Sequence, residues 1–359
     1  MPLTTPFTAR FHLACPVIQA PLAGGGDTPE LVAAVCKAGG MGFIGAAYLS
    51  PARIAASAAE VRRRTGRAFG INLFAPSPEP EPPANAQRAL EFVAPYFAEL
   101  GLAPPSFPKP EVASFGEQLD ATLESGASAF SFTFGLLSPA DIERLHSRGM
   151  YVMGTATSVD EAVALADAGV DAVVAQGSEA GGHRGTFLTG FDSAMVGTLA
   201  LTPQIADAVR IPVIASGGIM DGRGIAAVLA LGADAAQMGT AFLMCRESGI
   251  SGAYRAAIRN ARETDTRVTR AFSGRVARGI VNRFMTEVET AGAILPFPLQ
   301  NALTRPLRTE AAKQNRAEFL SLWAGQGVRM AKSETASELI ARLCDEAESV
   351  IARLNSSCQ

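Results

Sequence analysis

The segment QGSEAGGHRG, residues 176–185, has the residue types of a reactive loop. It places His183 among glycines directly after an apolar run, and an imidazole can act as an acid or a base near neutral pH. A surface-loop histidine without a role is the plainer alternative, but the position after a strand favours a catalytic His183. The other histidines are predicted to be structural, since His12 precedes the first strand and His146 lies in a helical pattern.

Two further glycine-rich segments, SGGIMDGRG at 216–224 and QMGT at 237–240, suit a phosphate. Glycine allows backbone N–H groups to crowd an anion, and a following helix adds partial positive charge. Tight turns without a ligand are the alternative. The candidate contacts are Gly217, Gly218, Gln237, Met238, Gly239 and Thr240.

Strong nucleophiles and metal ligands do not accompany these loops. No lysine ends a predicted strand, which disfavours Schiff-base chemistry; the lysines are Lys37, Lys109, Lys313 and Lys332. No grouping of Asp, Glu and His predicts a metal site. Phosphate loops, amide side chains and one histidine together indicate that a bound cofactor performs the difficult chemistry.

Short apolar runs alternate with helical patterns along most of the chain, which is typical of a parallel sheet built from β–α units. The pattern predicts eight strands, at residues 16–23, 41–48, 68–75, 127–135, 150–157, 171–177, 211–218 and 234–243. That count favours a closed (β/α)8 TIM barrel over a doubly wound sheet. In such a barrel the loops at the carboxyl ends of the strands carry the chemistry, and the last two bind phosphate.

Two segments interrupt the repeat. Residues 76–110 are rich in proline and predict an insertion with one helix near 84–101. Residues 246–310 show no strand–helix repeat and predict an inserted, mostly helical lid that binds substrate. The barrel would then comprise residues 1–245, completed by C-terminal helices at 311–359.

Composition narrows the classes of protein. A net charge of −3 predicts no nucleic-acid partner, and no apolar run is long enough to predict a membrane span. The N-terminus lacks the pattern of a signal peptide. The scattered cysteines argue against zinc and a disulfide framework and suit the cytoplasm. We expect a cytoplasmic monomer or homodimer that acts on a small molecule.

The motifs of the chain resemble those of the class I nitronate monooxygenases, formerly called 2-nitropropane dioxygenases. The matching stretches run in order through nearly the whole chain: QAPLAGG (19–25), GINLF (70–74), FSFTFG (130–135), QGSEAGGHRG (176–185), SGGIMDGRG (216–224), LGADAAQMGTAF (231–242) and LWAGQG (322–327).

This resemblance implies a barrel that binds FMN non-covalently and oxidises alkyl nitronates, above all propionate 3-nitronate. With O2 as co-substrate, single-electron transfer at the flavin would yield a carbonyl compound and nitrite or nitrate, which is a detoxification. The implied flavin contacts are Asn72 and Gln176 at the ring, Gly181 and Gly218 by their backbones, and Gln237, Met238, Gly239 and Thr240 at the phosphate, with Gly217 nearby. His183 would face the substrate nitro group.

Two features leave alternatives open. NAD(P)H-dependent FMN reductases of the enoyl-acyl-carrier-protein reductase or quinone reductase type share the barrel and a similar histidine loop, and a non-catalytic flavin-binding protein is a third reading. This chain also has Phe297 where some relatives carry tyrosine, which would alter substrate placement. Lys313 is a candidate contact for an anionic substrate.

Overall fold

Eight parallel strands close into a barrel in the computed structural model, which describes residues 3–78, 81, 83–84, 86–108 and 114–356. Lys109 and Cys358 lie outside these ranges. The barrel strands are β1 (Val17–Gln19), β2 (Met41–Gly45), β3 (Gly70–Phe74), β4 (Ala129–Thr133), β5 (Tyr151–Ala156), β6 (Ala172–Gln176), β8 (Val213–Ser216) and β9 (Ala235–Met238). Pairing of β1 with β9 closes the ring, which confirms the predicted (β/α)8 barrel.

Helices follow the strands as the alternating pattern predicts. Thr28 caps the first barrel helix by accepting a hydrogen bond from the Leu31 N–H, with Pro29 in the first turn. The helices before the lid segment are α1 (Pro6–Phe11), α2 (Pro29–Lys37), α3 (Pro51–Arg64), α4 (Ala86–Glu99), α5 (Phe115–Leu123), α6 (Pro139–Ser147), α7 (Val159–Asp167), α8 (Thr198–Ala208), α9 (Gly222–Ala230) and α10 (Thr240–Leu243).

Alternate strand residues fill the inside of the barrel. Phe43, Met153 and Ile214 are fully buried there, and Phe7 of α1 joins the same cluster. Large apolar side chains on this inner face close the barrel at that level, as close packing of protein interiors requires. The ligand-sized space is therefore restricted to the carboxyl ends of the strands.

The predicted lid segment contains helices α11 (Gly252–Asn260), α12 (Arg283–Ala291) and α13 (Leu299–Lys313), together with two strands that the sequence analysis did not predict. These strands, β10 (Thr266–Thr269) and β11 (Ala277–Ile280), form an antiparallel sheet with β7 (Gly182–His183). The insertion helix α4 shares an apolar cluster with this segment. Two separate insertions therefore pack together beside the barrel.

The C-terminal helix α14 (Ala336–Ser356) packs against α9 and α2 and covers the seam where β9 meets β1. This packing brings together two cysteines that are 329 residues apart, and the structure joins Cys15 to Cys344 in a disulfide. The sequence analysis argued against a disulfide framework and did not foresee this single bridge, because spacing along the chain does not reveal a contact made by the last helix. Cys36 and Cys245 are free and buried.

Candidate active site

A cavity of about 820 Å³ opens at the carboxyl ends of the barrel strands, within the size range of cofactor and ligand sites. The predicted site residues come from the ends of four different barrel strands, yet the structure brings all of them to its wall: Asn72, Gln176, Gly181, His183, Gly217, Gly218, Gln237, Met238, Gly239 and Thr240. Among the described residues, no group of three or more His, Cys, Asp or Glu side chains could hold a metal ion. No described helix has the length and hydropathy of a membrane span.

His183 is held by the lid sheet. Its strand β7 pairs with β11, so that His183 lies opposite Ala277. Its Nε2 lies 2.8 Å from the Ser273 hydroxyl in the turn between β10 and β11. That hydroxyl donates its one proton to the carbonyl of Arg275, at 3.0 Å, and accepts from the Arg275 N–H. The arrangement favours a proton on Nε2 of His183 and a free lone pair on Nδ1.

The charge around His183 is positive. Removal from water, together with the nearby guanidinium groups of Arg275 and Arg308, lowers the pKa of its imidazole to about 3. Arg275 lies 3.8 Å from the centre of the Phe134 ring, a cation–π contact that fixes it beside the site. The ring of His183 is therefore neutral at physiological pH.

Aromatic side chains surround the imidazole. The ring centre of His183 lies 5.6 Å from that of Trp323, 5.8 Å from Phe134, 6.2 Å from Phe74 and 6.3 Å from Phe297. Phe134 adopts a φ of 83°, which side-chain-bearing residues rarely do, and such local strain is often found at functional sites. These rings form an apolar group around the imidazole of His183.

The loop that carries His183 is fixed from inside the barrel. The side-chain amide of Gln176 donates to the His183 carbonyl at 2.9 Å and accepts from the Gly185 N–H at 2.8 Å. Arg184 is almost fully buried and donates to the carbonyls of Gln176 and Gly177. Gln176, predicted from the resemblance to contact a flavin, also has a structural role in orienting this loop.

The glycine-rich loops leave backbone groups free at the cavity. Gly217 and Gly218 have φ angles of +118° and +71°, which side chains disfavour. The N–H groups of Gly218 and Gly239 have no hydrogen-bond partner within the part of the chain that the structure describes. A Cβ on Gly181 would lie 2.5 Å from the Ala324 carbonyl carbon, so only glycine fits there. Free donors without side chains form a surface that can accept an anion.

The other predicted contacts differ in what they present. The side-chain amide of Asn72 donates from Nδ2 to the Ser131 hydroxyl at 2.9 Å. Its side-chain oxygen, Oδ1, has no protein partner among the described residues. The side chain of Met238 is buried in the core between the barrel and its helices, so only its backbone reaches the cavity. Thr240 accepts the Gly325 N–H at 2.9 Å, which ties the LWAGQG segment to the end of β9.

Lys313 does not reach the cavity. It is exposed and pairs with Glu310 at 2.9 Å. Three residues of the wall were not predicted from the sequence: Tyr48, Arg305 and Arg308. Ser273, which lies behind His183, was not predicted either. Phe297 belongs to the aromatic group around His183, and its ring has no polar atom that could bind a substrate.

These features define the class: a (β/α)8-barrel enzyme whose cavity is built from glycine loops, amides and one neutral imidazole. The family model of nitronate monooxygenase matches residues 5–346. A probable nitronate monooxygenase of Staphylococcus saprophyticus is 42% identical over 356 residues, which cover 98% of this chain and 100% of the relative. A homologue from Staphylococcus aureus with the same description is 43% identical over 346 residues, covering 96% of this chain and 97% of its own.

Two solved structures are similar to this chain over nearly its whole length. A nitroalkane oxidase of Streptomyces ansochromogenes is 41% identical with a TM-score of 0.90, covering 97% of this chain and 99% of that one. The FabK protein of Thermotoga maritima is 28% identical with a TM-score of 0.78, covering 99% of both chains. The chain belongs to the nitronate monooxygenase family, a family of flavoenzymes, and is an oxidoreductase.

Proposed function

We propose that this protein is an FMN-dependent nitronate monooxygenase that oxidises alkyl nitronates, propionate 3-nitronate above all, with O2 to a carbonyl compound and nitrite or nitrate. The observation that carries this proposal is the electrostatics of the cavity. A neutral imidazole with a pKa of about 3 lies in the field of Arg275 and Arg308. A positive field attracts a substrate that is already an anion.

Removal from water, together with this field, makes His183 a weak base. General-base catalysis is most efficient when the pKa of the base lies near the working pH, and the pKa of His183 lies well below it. Removal of a proton from the carbon of a neutral nitroalkane is therefore slow. A nitronate has already lost that proton, so the cavity suits nitronates better than their conjugate acids.

The cavity fits FMN. Its volume accommodates a mononucleotide, and the free N–H groups of Gly218 and Gly239 suit one phosphate. Gly217 and the 237–240 loop would complete the phosphate site, with Asn72, Gln176 and the Gly181 backbone at the flavin ring. The bound flavin supplies the electron transfer that oxidises the nitronate.

The protein's own side chains bind, orient and shield the substrate. The Nδ1 lone pair of His183 accepts the α-proton when the substrate arrives as a neutral nitroalkane. The aromatic group formed by Phe74, Phe134, Phe297 and Trp323 keeps water from the reacting carbon. We assign residues 1–245 with 311–359 to the flavin barrel and 246–310 to a lid, because the latter segment supplies Ser273 and Phe297 beside His183.

Two measurements on purified protein test this function. Heat-released flavin is expected to run as FMN on chromatography, and O2 consumption with propionate 3-nitronate is expected to accompany nitrite formation. An NAD(P)H-dependent flavin reductase of the enoyl-acyl-carrier-protein reductase or quinone reductase type is the competing function. Anaerobic mixing with NADH or NADPH separates the two. Rapid bleaching of the flavin by either nucleotide, without nitronate turnover, would replace the oxygenase by a reductase.

A further inference from the structure

The cavity has a second cationic region on helix α13, away from the glycine loops. Arg305 and Arg308 lie one turn apart on this helix, and both line the cavity with Tyr48, which follows β2. Among the described residues, neither guanidinium has a carboxylate oxygen within 4.0 Å, so neither arginine forms an ion pair. By contrast, Lys313 and Arg316, slightly further along the chain, are both ion-paired.

Arg308 is held by neutral groups alone. Its guanidinium donates to the Asn301 carbonyl and side-chain oxygen, at 3.0 and 2.7 Å, and to the Ser321 hydroxyl at 3.4 Å. Its Nε is buried without a hydrogen-bond partner among the described residues. Burial lowers the pKa of Arg308 to about 10, and the nearby Arg305 also lowers it. Arg308 is half-buried, so its charge is only partly solvated, and an anion in the cavity would stabilise it.

Tyr48 presents a second unused donor. Its hydroxyl is buried and has no hydrogen-bond partner in the part of the chain that is described. Burial raises the pKa of Tyr48 to about 12, so its proton stays on the oxygen and is available to donate. Buried phenol groups normally find a partner. Both unpartnered groups therefore point to a ligand oxygen.

The position of these groups fits the far end of a short substrate. The Phe74 ring contacts both Tyr48 and His183, with ring centres 5.5 and 6.2 Å away, so both side chains lie in the neighbourhood of this ring. Arg308 is also near enough to His183 to affect its charge. A substrate whose nitro group lies at His183 can thus place its other end among Tyr48, Arg305 and Arg308.

We propose that Arg308 and Tyr48, with Arg305 at the edge, form a carboxylate site that selects nitronates bearing a second negative group. The proposal rests on the proposed nitronate oxidation and identifies residues that determine its specificity. The Nε–H of Arg308 and the hydroxyl of Tyr48, both without a partner among the described residues, are donors that one carboxylate can accept. Simple alkyl nitronates lack that group and gain only the contacts near His183.

The test compares two nitronates of equal carbon number, propionate 3-nitronate and propyl-1-nitronate, in Arg308→Gln. The ratio of their kcat/KM values is expected to fall about 10- to 10²-fold, mainly through KM, the usual scale for a charge-assisted hydrogen bond. Tyr48→Phe should lower the ratio about 3- to 10-fold, and Arg308→Lys should restore part of it. Lys313→Gln removes one charge from the same helix outside the cavity and is the matched control.

Several outcomes would overturn the carboxylate site. An unchanged ratio in Arg308→Gln refutes it, and loss of FMN from this variant assigns the arginine to the cofactor phosphate instead. If the wild type oxidises neither nitronate, the proposed function fails. Calorimetric measurement of butanoate binding, which needs no turnover, still tests the carboxylate site. Weaker binding in Arg308→Gln than in Lys313→Gln supports the proposal, and equal binding in both refutes it.

Discussion

Replacement of His183 by asparagine separates the two roles that the imidazole can have. Asparagine keeps a hydrogen-bond donor but cannot take a proton at neutral pH. General-base catalysis typically contributes about 10²- to 10⁴-fold. We expect kcat/KM for neutral nitroethane to fall about 10²-fold, the lower end of that range, because a base with a pKa of about 3 contributes little driving force. Preformed ethyl nitronate should lose much less.

The pH dependence supplies a sharper magnitude. The reactive form of His183 is the neutral one, which exists above its pKa and is lost as the pH falls through it. A histidine with the ordinary pKa of about 6.5 would retain about 3% of this form at pH 5, whereas a pKa of about 3 leaves about 99%. Activity with neutral nitroethane should therefore stay nearly constant from pH 8 to pH 5, rather than fall about 30-fold.

The assay measures O2 consumption with flavin-replete wild type and His183→Asn, using nitroethane and ethyl nitronate at each pH. Flavin content is the control, since His183 is assigned to substrate rather than to cofactor. A break in the wild-type profile near pH 6.5 would contradict the depressed pKa. Equal, near-wild-type values of kcat/KM for both substrates in His183→Asn would remove the imidazole from the mechanism.

Three further predictions concern the surroundings of His183. Ser273→Ala leaves the Nε2–H of His183 without its acceptor and should lower nitroethane turnover about 5- to 30-fold. The ¹⁵N chemical shifts of the His183 ring should change as well, and Ser273→Thr should restore both turnover and shifts. Unaltered shifts in Ser273→Ala would refute the assignment of the proton to Nε2. Gly181→Ala forces a Cβ against the 324–325 backbone and should lower the free energy of unfolding by about 1–3 kcal/mol, whereas Gly66→Ala, which meets open space, should not. Exchange of residues 246–310 for those of a relative should change substrate preference with flavin retained; unchanged kinetics would contradict the lid.

The barrel could be predicted because its signal is local. Each barrel strand is a short apolar run followed by a helical pattern, and caps such as Thr28 mark where helices begin. The structure trims every predicted strand at its ends but keeps all of them and their order. Since the carboxyl ends of barrel strands meet at one face, the strand assignments alone were enough to collect the predicted site residues around one cavity.

The lid sheet could not be predicted because its strands lack a strand pattern. All four residues of β11 are buried, including Arg278, and β11 is the central strand of its sheet, paired with β10 and β7 and bridged to the chain at Trp323. A strand buried on both faces shows no alternation of polar and apolar residues. Ser273 lies in the turn of this sheet, 90 residues from His183, so nothing local in the sequence connects them.

Helix geometry explains why Lys313, the cation named from the sequence, lies outside the cavity. Asn301, Arg305 and Arg308 follow one another by four and three residues and therefore share a face of α13, the face that lines the cavity. Lys313 is five residues beyond Arg308, about 140° around the helix, and points to solvent. The spacing was visible in the sequence, but which face meets the cavity depends on how α13 packs, and that is set by residues far away.

The two positive regions of the cavity have a common consequence for catalysis. Removal from water keeps His183 neutral and the charges of Arg275 and Arg308 add to this effect, while the same charges favour an anion over a neutral molecule beside the imidazole. An enzyme that had to deprotonate its own substrate would gain from a carboxylate beside the imidazole, which would raise the pKa of the base toward neutrality. This site has guanidinium groups there instead. The protein thus gives up strength in the base and gains affinity for a substrate that has already lost its proton.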